Sequence, residues 1–556
     1  MTDDSTIRAF PELKPPDLAA CAAGLLGLTV FAAADASAER PEAVWLQEAA
    51  RRIGNAGAAR DAIAAALEAP ERRDKLLARV ARALDLSLAE TAATAIALAV
   101  ETETMPGRAV AWLQSPLGGA RPALGLLSAA LAPLDPKEGL SARLAAGRAV
   151  RSGLLTLTGS GPLPERGIAL GDAMIAALTG NPIDRPGLSL AVADLSETWP
   201  ASLECALTPL LDGLEGGEPV LLVVRAAAAH DRTEILQRIG ARLGLTPALI
   251  DLETVDSQGL GPLLVAARLV PAFEADPPPG HYIDLPNLAG YGGPVVAFLG
   301  PDGHVGQDGV QTVEWTLPMP TAEERQSIWR GVFADDAVAE RLGIEHLQSA
   351  GRIRELALAA GAAARLAGKP KPDADSLRSA LWSTEGEGLG ALAKAVKDRI
   401  PDEAMIAGAA LKTELSLLLA RCRNREHLTD GLGAASAARY KVGVRSLFTG
   451  PSGTGKTMAA AWLAGKLDLA LYRVDLAAVS SKYIGETEKN LSRLLARAEE
   501  QEVILLFDEA DSLFGKRTDI SDANDRFANA QTNFLLQRIE TYTGIVLLTS
   551  NSKSRF

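Results

Sequence analysis

The chain has 556 residues, about three to four domains' worth at the usual domain size, so a single compact domain is excluded. Apolar residues make up 47%, charged residues 22% and aromatics 4%, which provides cores of Ala and Leu and excludes wholesale disorder. With 56 Lys and Arg against 69 Asp and Glu, the net charge of −13 repels phosphate backbones and anionic lipid and argues against sequence-independent DNA binding.

Residues 18–34 carry no charge, yet they are rich in Ala and Gly and fall just short of the roughly 20 residues of a bilayer span, so a buried helix is predicted. Ala36-Ser37-Ala38 mimics a signal-peptidase site, but the segment before it carries Asp3, Asp4, Glu12 and Asp17 against Arg8 and Lys14, so secretion is not expected. As far as about Gly180 the pattern is helical, with apolar residues three and four apart in 73–86 and 88–100, and no catalytic signal. Strand-like and helical runs then alternate: a strand at 220–224, a helix at 233–243 and a strand at 248–252. A loop at 276–280 and short strands at 281–285 and 294–299 follow. This is the rhythm of a parallel sheet covered by helices. Helices are predicted from Thr321 to about Trp382, and the Gly-rich stretch 383–390 reads as a linker.

The last third repeats the order. A strand at 444–448, a Gly-rich loop, a helix from about Lys456 and a strand at 471–474 are followed by a helix around 486–499 and strands at 503–507 and 545–549. The middle and last thirds read as two copies of one α/β unit.

Gly450-Pro451-Ser452-Gly453-Thr454-Gly455-Lys456-Thr457 fits G-x-x-x-x-G-K-[ST] between an apolar strand and a helix. Phosphate binding needs that context, because backbone N–H groups and the positive helix end then point at the phosphates, and glycines allow a backbone that a Cβ would penalise. All eight residues are expected to bind ATP, with Lys456 on the β- and γ-phosphates and the Thr457 hydroxyl on Mg²⁺. About fifty residues on, a buried-type strand ends in Asp508 and Glu509. A parallel strand delivers such residues to the phosphate crevice, so Asp508 is expected to hold Mg²⁺ through its water shell and Glu509 to act as general base. A solvated strand end is the plain alternative for two acids taken alone. Asn551, closing the next strand, can donate and accept and so orient the attacking water; a strand-capping Asn is the alternative. Cys21, Cys205 and Cys422 lie far apart without metal or disulfide spacing, which fits a reducing cytosol.

On these motifs, residues from about 400 to 556 resemble AAA-type (AAA+) ATPases. The resemblance makes Asn551 the sensor-1 residue. It likens residues 481–490, with Lys482, Tyr483 and Ile484, to the central-pore loop of the family's protein-remodelling members, where an aromatic grips peptide side chains. Tyr483 as a core aromatic is the alternative. Residues 522–537 resemble the subunit-facing segment of the family's rings. The resemblance implies a P-loop NTPase three-layer αβα AAA module, self-association into a ring, with a hexamer expected, and protein clients; the net charge leads to the expectation of no specific nucleic acid and no membrane, and the cysteine spacing to a cytoplasmic location. The wider layout resembles the tandem-AAA ATPases of phage-tail-like contractile injection systems. It divides the chain into a helical region 1–73, a helical domain 74–185 that corresponds in position to the family's winged helix, a degenerate AAA-like module with a helical lid 186–395, and an AAA core 396–556.

In the middle copy, overlaying the strands puts Ala226 over Gly450 and Asp231 over Gly455, which predicts loss of phosphate binding. Asp284 is expected at the metal-binding position and Leu285 where the base should be, so no hydrolysis is expected there. Residues 317–329 and 351–354 resemble the start and the sensor-2 helix of an AAA lid; an unrelated α/β domain is the alternative. The chain stops at Phe556, and the resemblance puts arginine fingers and the active lid beyond Asn551. The expectation is therefore a truncated product or fragment with at most trace turnover, and Arg555 is assigned no finger role. Three functions compete: an ATP-driven motor that remodels, loads or assembles proteins; an ATP-switched scaffold; and a nucleic-acid-dependent ATPase, which the net charge disfavours.

Overall fold

Leu18–Ala33 forms a helix with Leu18, Cys21, Ala22 and Leu25 buried, as its uncharged sequence predicts. Its glycines have a packing reason, because a Cβ on Gly24 would run into the Ile53 side chain and one on Gly27 into the Leu46 carbonyl. The helix Pro41–Ile53 can thus lie directly against it. Residues 17–33, 40–116, 118–191, 199–215, 218–226, 228–277, 280–300, 303–333, 335–384, 389, 392–398, 400–429, 442–479, 486–510 and 535–551 are described by the computed structural model. Among them no helix is long and apolar enough to cross a membrane.

One hydrophobic core joins Leu18 through Leu178 and takes in Leu263 and Ala266, so the described residues of 1–73 and 74–185 pack together. Leu88–Thr102 starts at a capping box in which the Ser87 hydroxyl accepts the Glu90 N–H and Glu90 accepts the Ser87 N–H, satisfying two otherwise orphaned donors. After helix Thr104–Leu113 come a lone bridge Ala123–Gly167, helices Leu124–Leu131, Leu140–Ala145 and Arg148–Arg151, and the antiparallel pair β1 (Thr156–Thr158) and β2 (Gly167–Ala169).

The middle unit holds β3 (Leu188–Leu190), β4 (Val220–Arg225), β5 (Thr246–Ile250), β6 (Leu269–Ala275), β7 (Tyr282–Asp284), β8 (Val295–Leu299), β9 (His304–Gly306) and β10 (Gln311–Thr316). Its main sheet has the order β10-β4-β8-β6-β5-β3, parallel except for β3. Helices Ala201–Leu214 and Ala229–Leu243 bury Leu207, Ile235 and Ile239 on one face. Leu260–Ala267 buries Leu260 and Leu264 on the other, which gives three layers.

Two sequence expectations change here. The strand predicted at 281–285 is β7, and it pairs with β9 outside the main sheet, so Asp284 does not stand at a metal-binding strand end. The strand in that place is β6, which the sequence reading missed. Pro271 within it argues against a central strand because it donates no ladder bond. It is tolerated where pairing with β8 has not yet begun, since that ladder starts at Ala272. Helices Ala322–Arg330, Asp336–Glu345, Ala350–Leu366 and Ala374–Thr384 follow, packed around Trp329, Phe333, Leu342 and Ile353.

The last unit contains β11 (Ala393–Ala395), β12 (Val444–Thr449), β13 (Leu471–Val474), β14 (Ile504–Phe507) and β15 (Ile545–Ser550) in the order β11-β13-β14-β15-β12. Since β11 already belongs to this sheet, the boundary predicted at 395/396 lies earlier, before Ala393. Helices Ala409–Arg423 and Lys456–Leu467 cover one face, and Glu486–Gln501 covers the other. Apart from β10, the two sheets share one order, with β4, β8, β6, β5 and the antiparallel edge β3 matching β12, β15, β14, β13 and the antiparallel edge β11.

Polar ties join the middle unit's helices to the last unit. Buried Arg325 pairs with Glu426, Arg341 lies 3.4 Å from Asp468, and Arg423 lies 3.4 Å from Glu345. The Leu347 N–H donates to Glu502 at 2.6 Å, and the same carboxylate pairs with buried Arg425.

Candidate nucleotide-binding site

Between β12 and the helix Lys456–Leu467 the chain makes a loop of residues 450–455. Gly453 (φ +80°) and Gly455 (φ +88°) lie in the left-handed region, where a Cβ would cost about 1–2 kcal/mol. The loop opens directly into the helix, whose first N–H groups have no intrahelical acceptor and whose dipole is positive there. The Gly450 N–H donates to the Ser550 carbonyl at 3.2 Å, which ties the loop to β15. Pro451, Ser452, Gly453 and Thr454 are exposed, and the Thr454 hydroxyl donates to the Pro451 carbonyl at 2.9 Å. Lys456 and Thr457 are half-buried in the helix's first turn. The Lys456 ammonium donates to the Gly450 carbonyl (2.8 Å), the Pro451 carbonyl (3.1 Å) and Asn551 Oδ1 (2.9 Å). The loop lysine and the residue predicted to orient water are therefore in contact.

The two acids follow β14. Asp508 is half-buried, and Glu509 is exposed with φ +55°, a backbone strain typical of functional sites. Arg473, on β13, lies 3.9 Å from Asp508 Oδ2. The buried hydroxyl of Thr549 donates to Asp508 Oδ1 at 2.6 Å and accepts the Glu509 N–H at 3.0 Å. Sequence reasoning passed over Thr549. The available signal was a lone hydroxyl at the end of an apolar strand, two residues before Asn551 and so on the same side of β15. Lys482, Tyr483 and Ile484 lie outside the described residues, as do 522–534 of the predicted subunit-facing segment.

The corresponding edge of the middle unit differs in construction. β4 ends at Arg225 and its helix begins at Ala229, so this loop is three residues shorter than the one between Thr449 and Lys456. The overlay of Asp231 on Gly455 therefore fails. Asp231 sits inside the helix, buried, and its Oδ1 accepts the Gly351 N–H at 2.7 Å at the start of Ala350–Leu366. Burial pushes its carboxyl up to about 6. Register gives the true equivalents. Arg225 pairs with Leu299 and Leu299 with Ala275, as Thr449 pairs with Ser550 and Phe507 with Leu548. Glu274 is thus level with Asp508, Ala275 with Glu509 and Gly300 with Asn551. An acid remains but no base, so the expected lack of a base rests on Ala275 in place of Leu285. The Arg232 guanidinium occupies this edge, donating to the Ala226 carbonyl at 2.7 Å and lying 3.5 Å from Glu274. A cavity of about 870 Å³ lies over it, roofed by Lys489, Arg493 and Glu500 of the last unit.

Residues 446–556 match the sequence model of the ATPase family associated with various cellular activities (AAA). They form an AAA ATPase domain. Over 85 residues the chain is 41% identical to the uncharacterized AAA family ATPase y4kL of Sinorhizobium fredii, covering 15% of this chain and 26% of that protein. It is 31% identical over 192 residues to spastin of Ixodes scapularis, covering 33% of this chain and 28% of that one. It is 30% identical over 108 residues to the cell division cycle protein 48 homolog of Archaeoglobus fulgidus, covering 19% and 15%. The chain thus spans little more than a quarter of these relatives at most.

Proposed function

We propose that the AAA domain binds ATP with Mg²⁺ and hydrolyses it, and that the chain uses this cycle to remodel, load or assemble protein clients as a ring, with a hexamer expected. The observation that carries the reading is the contact of Lys456 with Asn551 at 2.9 Å, beside a strand end bearing Asp508 and Glu509. Gly450 to Thr457 would wrap the phosphates, and Lys456 would exchange its carbonyl partners for phosphate oxygens. The Thr457 hydroxyl and the Asp508 carboxylate are hard oxygen donors of the kind Mg²⁺ takes, and among the described residues the second Asp508 oxygen has the loose Arg473 contact at 3.9 Å. When bound, Mg²⁺ would neutralise charge on the β- and γ-phosphates. Glu509 would accept a proton from water as the water oxygen bonds to the γ-phosphorus and the bond to the β,γ-bridging oxygen breaks, leaving ADP and phosphate. Asn551 would hold that water.

The middle unit fits a degenerate AAA-like module, a reading supported by the shared strand order, the shortened loop and Arg232 beside Glu274. The bridge, helices and β1–β2 pair of residues 104–169 support a winged-helix reading. Service to a contractile injection system rests on the layout alone, and a cytoplasmic location on the spacing of the three cysteines. An ATP-switched scaffold is the second reading, favoured by the ties of Leu347 to Glu502 and of Arg325 to Glu426 between the units.

The test is Glu509→Gln. ATP affinity should stay within a few-fold, while conversion of bound ATP to ADP by the protein falls by about 100-fold or more. Conversion at the parental rate would remove Glu509 as the base.

A further inference from the structure

We propose that Thr549 is a positioning residue that sets both acids of the AAA site at once and thereby gives the site its Mg²⁺-dependent grip on nucleotide. The inference rests on the ATP reading above and adds a residue to it. Thr549 is fully buried, one residue past the point where Leu548 pairs with Phe507, so its hydroxyl stands level with Asp508. A hydroxyl has one proton to give and lone pairs to accept with, and both are used across the strands. The proton goes to Asp508 Oδ1 at 2.6 Å, the short distance of a bond to a carboxylate. The lone pair takes the Glu509 N–H at 3.0 Å, where Glu509 adopts its left-handed φ of +55°. One bond fixes which oxygen of Asp508 is occupied, leaving Oδ2 for the metal's shell. The other holds the strained backbone that turns the Glu509 side chain out of the strand. A hydrophobic residue of the same shape would keep the packing and lose both bonds, and serine would keep both bonds and lose a methyl group.

Partners that orient a metal's ligands are typically worth about 10- to 100-fold in metal affinity. The experiment measures the affinity of the full chain for a fluorescent ATP analogue with Mg²⁺ and again in EDTA, for wild type, Thr549→Val, Thr549→Ser and Lys456→Ala. Thr549→Val should bind as wild type in EDTA, which also reports an intact fold, and should lose at least about tenfold of the Mg²⁺-dependent gain. Thr549→Ser should recover it. Should valine fail to fold, Thr549→Ala carries the same comparison. A hydroxyl-less variant with the full wild-type Mg²⁺ gain overturns the proposal, as does a serine variant that recovers none of the gain. If wild type binds no nucleotide, or Lys456→Ala binds it as wild type does, the underlying ATP reading fails instead.

Discussion

Lys456 Nζ lies 2.9 Å from Asn551 Oδ1, so the cation of the phosphate loop is held by the residue that directly follows the neighbouring strand β15. The same ammonium also takes the carbonyls of Gly450 and Pro451, which shapes the loop around it. In Asn551→Ala the lysine keeps its two carbonyl partners, so nucleotide affinity should change by no more than a few-fold. Conversion of bound ATP should fall by about 100-fold, as the water loses a partner. Binding titration beside single-turnover analysis reads the two effects separately, and a variant that binds poorly but converts normally would contradict the assignment.

Gly455→Ala places a Cβ on a residue with φ of +88° at the start of the helix. A left-handed alanine costs about 1–2 kcal/mol, so either stability drops by that amount or the loop opens and ATP affinity falls by about tenfold. An alanine variant unchanged in both melting and affinity would mean that the loop does not need this conformation.

Arg425 and Glu502 form a pair with side-chain exposures of 3% and 4% at the contact between the middle unit and the AAA domain. Removing one partner leaves the other buried and charged, which costs about 3–5 kcal/mol. Glu502→Ala and Arg425→Ala should each lower the unfolding free energy, read from denaturant titration, by that much, and the double variant should lose less than the sum. Additive losses would show that the pair is not energetically coupled.

Asp231 gives a pH dependence with a fixed sign. Its folded carboxyl lies near 6 and its ordinary value is 3.8, so the folded state holds the proton more tightly. The stability linked to that proton is complete below about 4 and is lost as pH rises through about 6. Asp231→Asn keeps an oxygen for the Gly351 N–H and has no charge to bury, so relative to wild type it should gain stability between pH 4 and pH 7. Denaturation at both pH values decides this, and a gain that shrinks toward pH 7 would contradict it.

The AAA site was legible where its chemistry is local in sequence. The loop around Lys456, the strand ending in Asp508 and the strand before Asn551 lie within a residue or two of where hydrophobic patterning puts them, because phosphate binding allows few ways to join strand, glycines and helix. The middle unit was read less well. Pro271 masks β6 in the hydrophobic pattern, so the sequence pattern places Asp284 where register places Glu274. Overlaying residues one for one could not reveal a loop shortened by three residues, and Asp231 was moved from its helix into a phosphate site. Thr549 escaped notice because its role depends on the register between β14 and β15, which no linear pattern carries.

The central claim is that the chain has one working nucleotide site, in the AAA domain. Its most direct test is the stoichiometry of ATP binding at saturation, by equilibrium dialysis with Mg²⁺, for wild type and Lys456→Ala. The account predicts one ATP per wild-type chain and none in the variant. Two per chain, or one retained by Lys456→Ala, would contradict it and return the middle unit to the nucleotide-binding machinery.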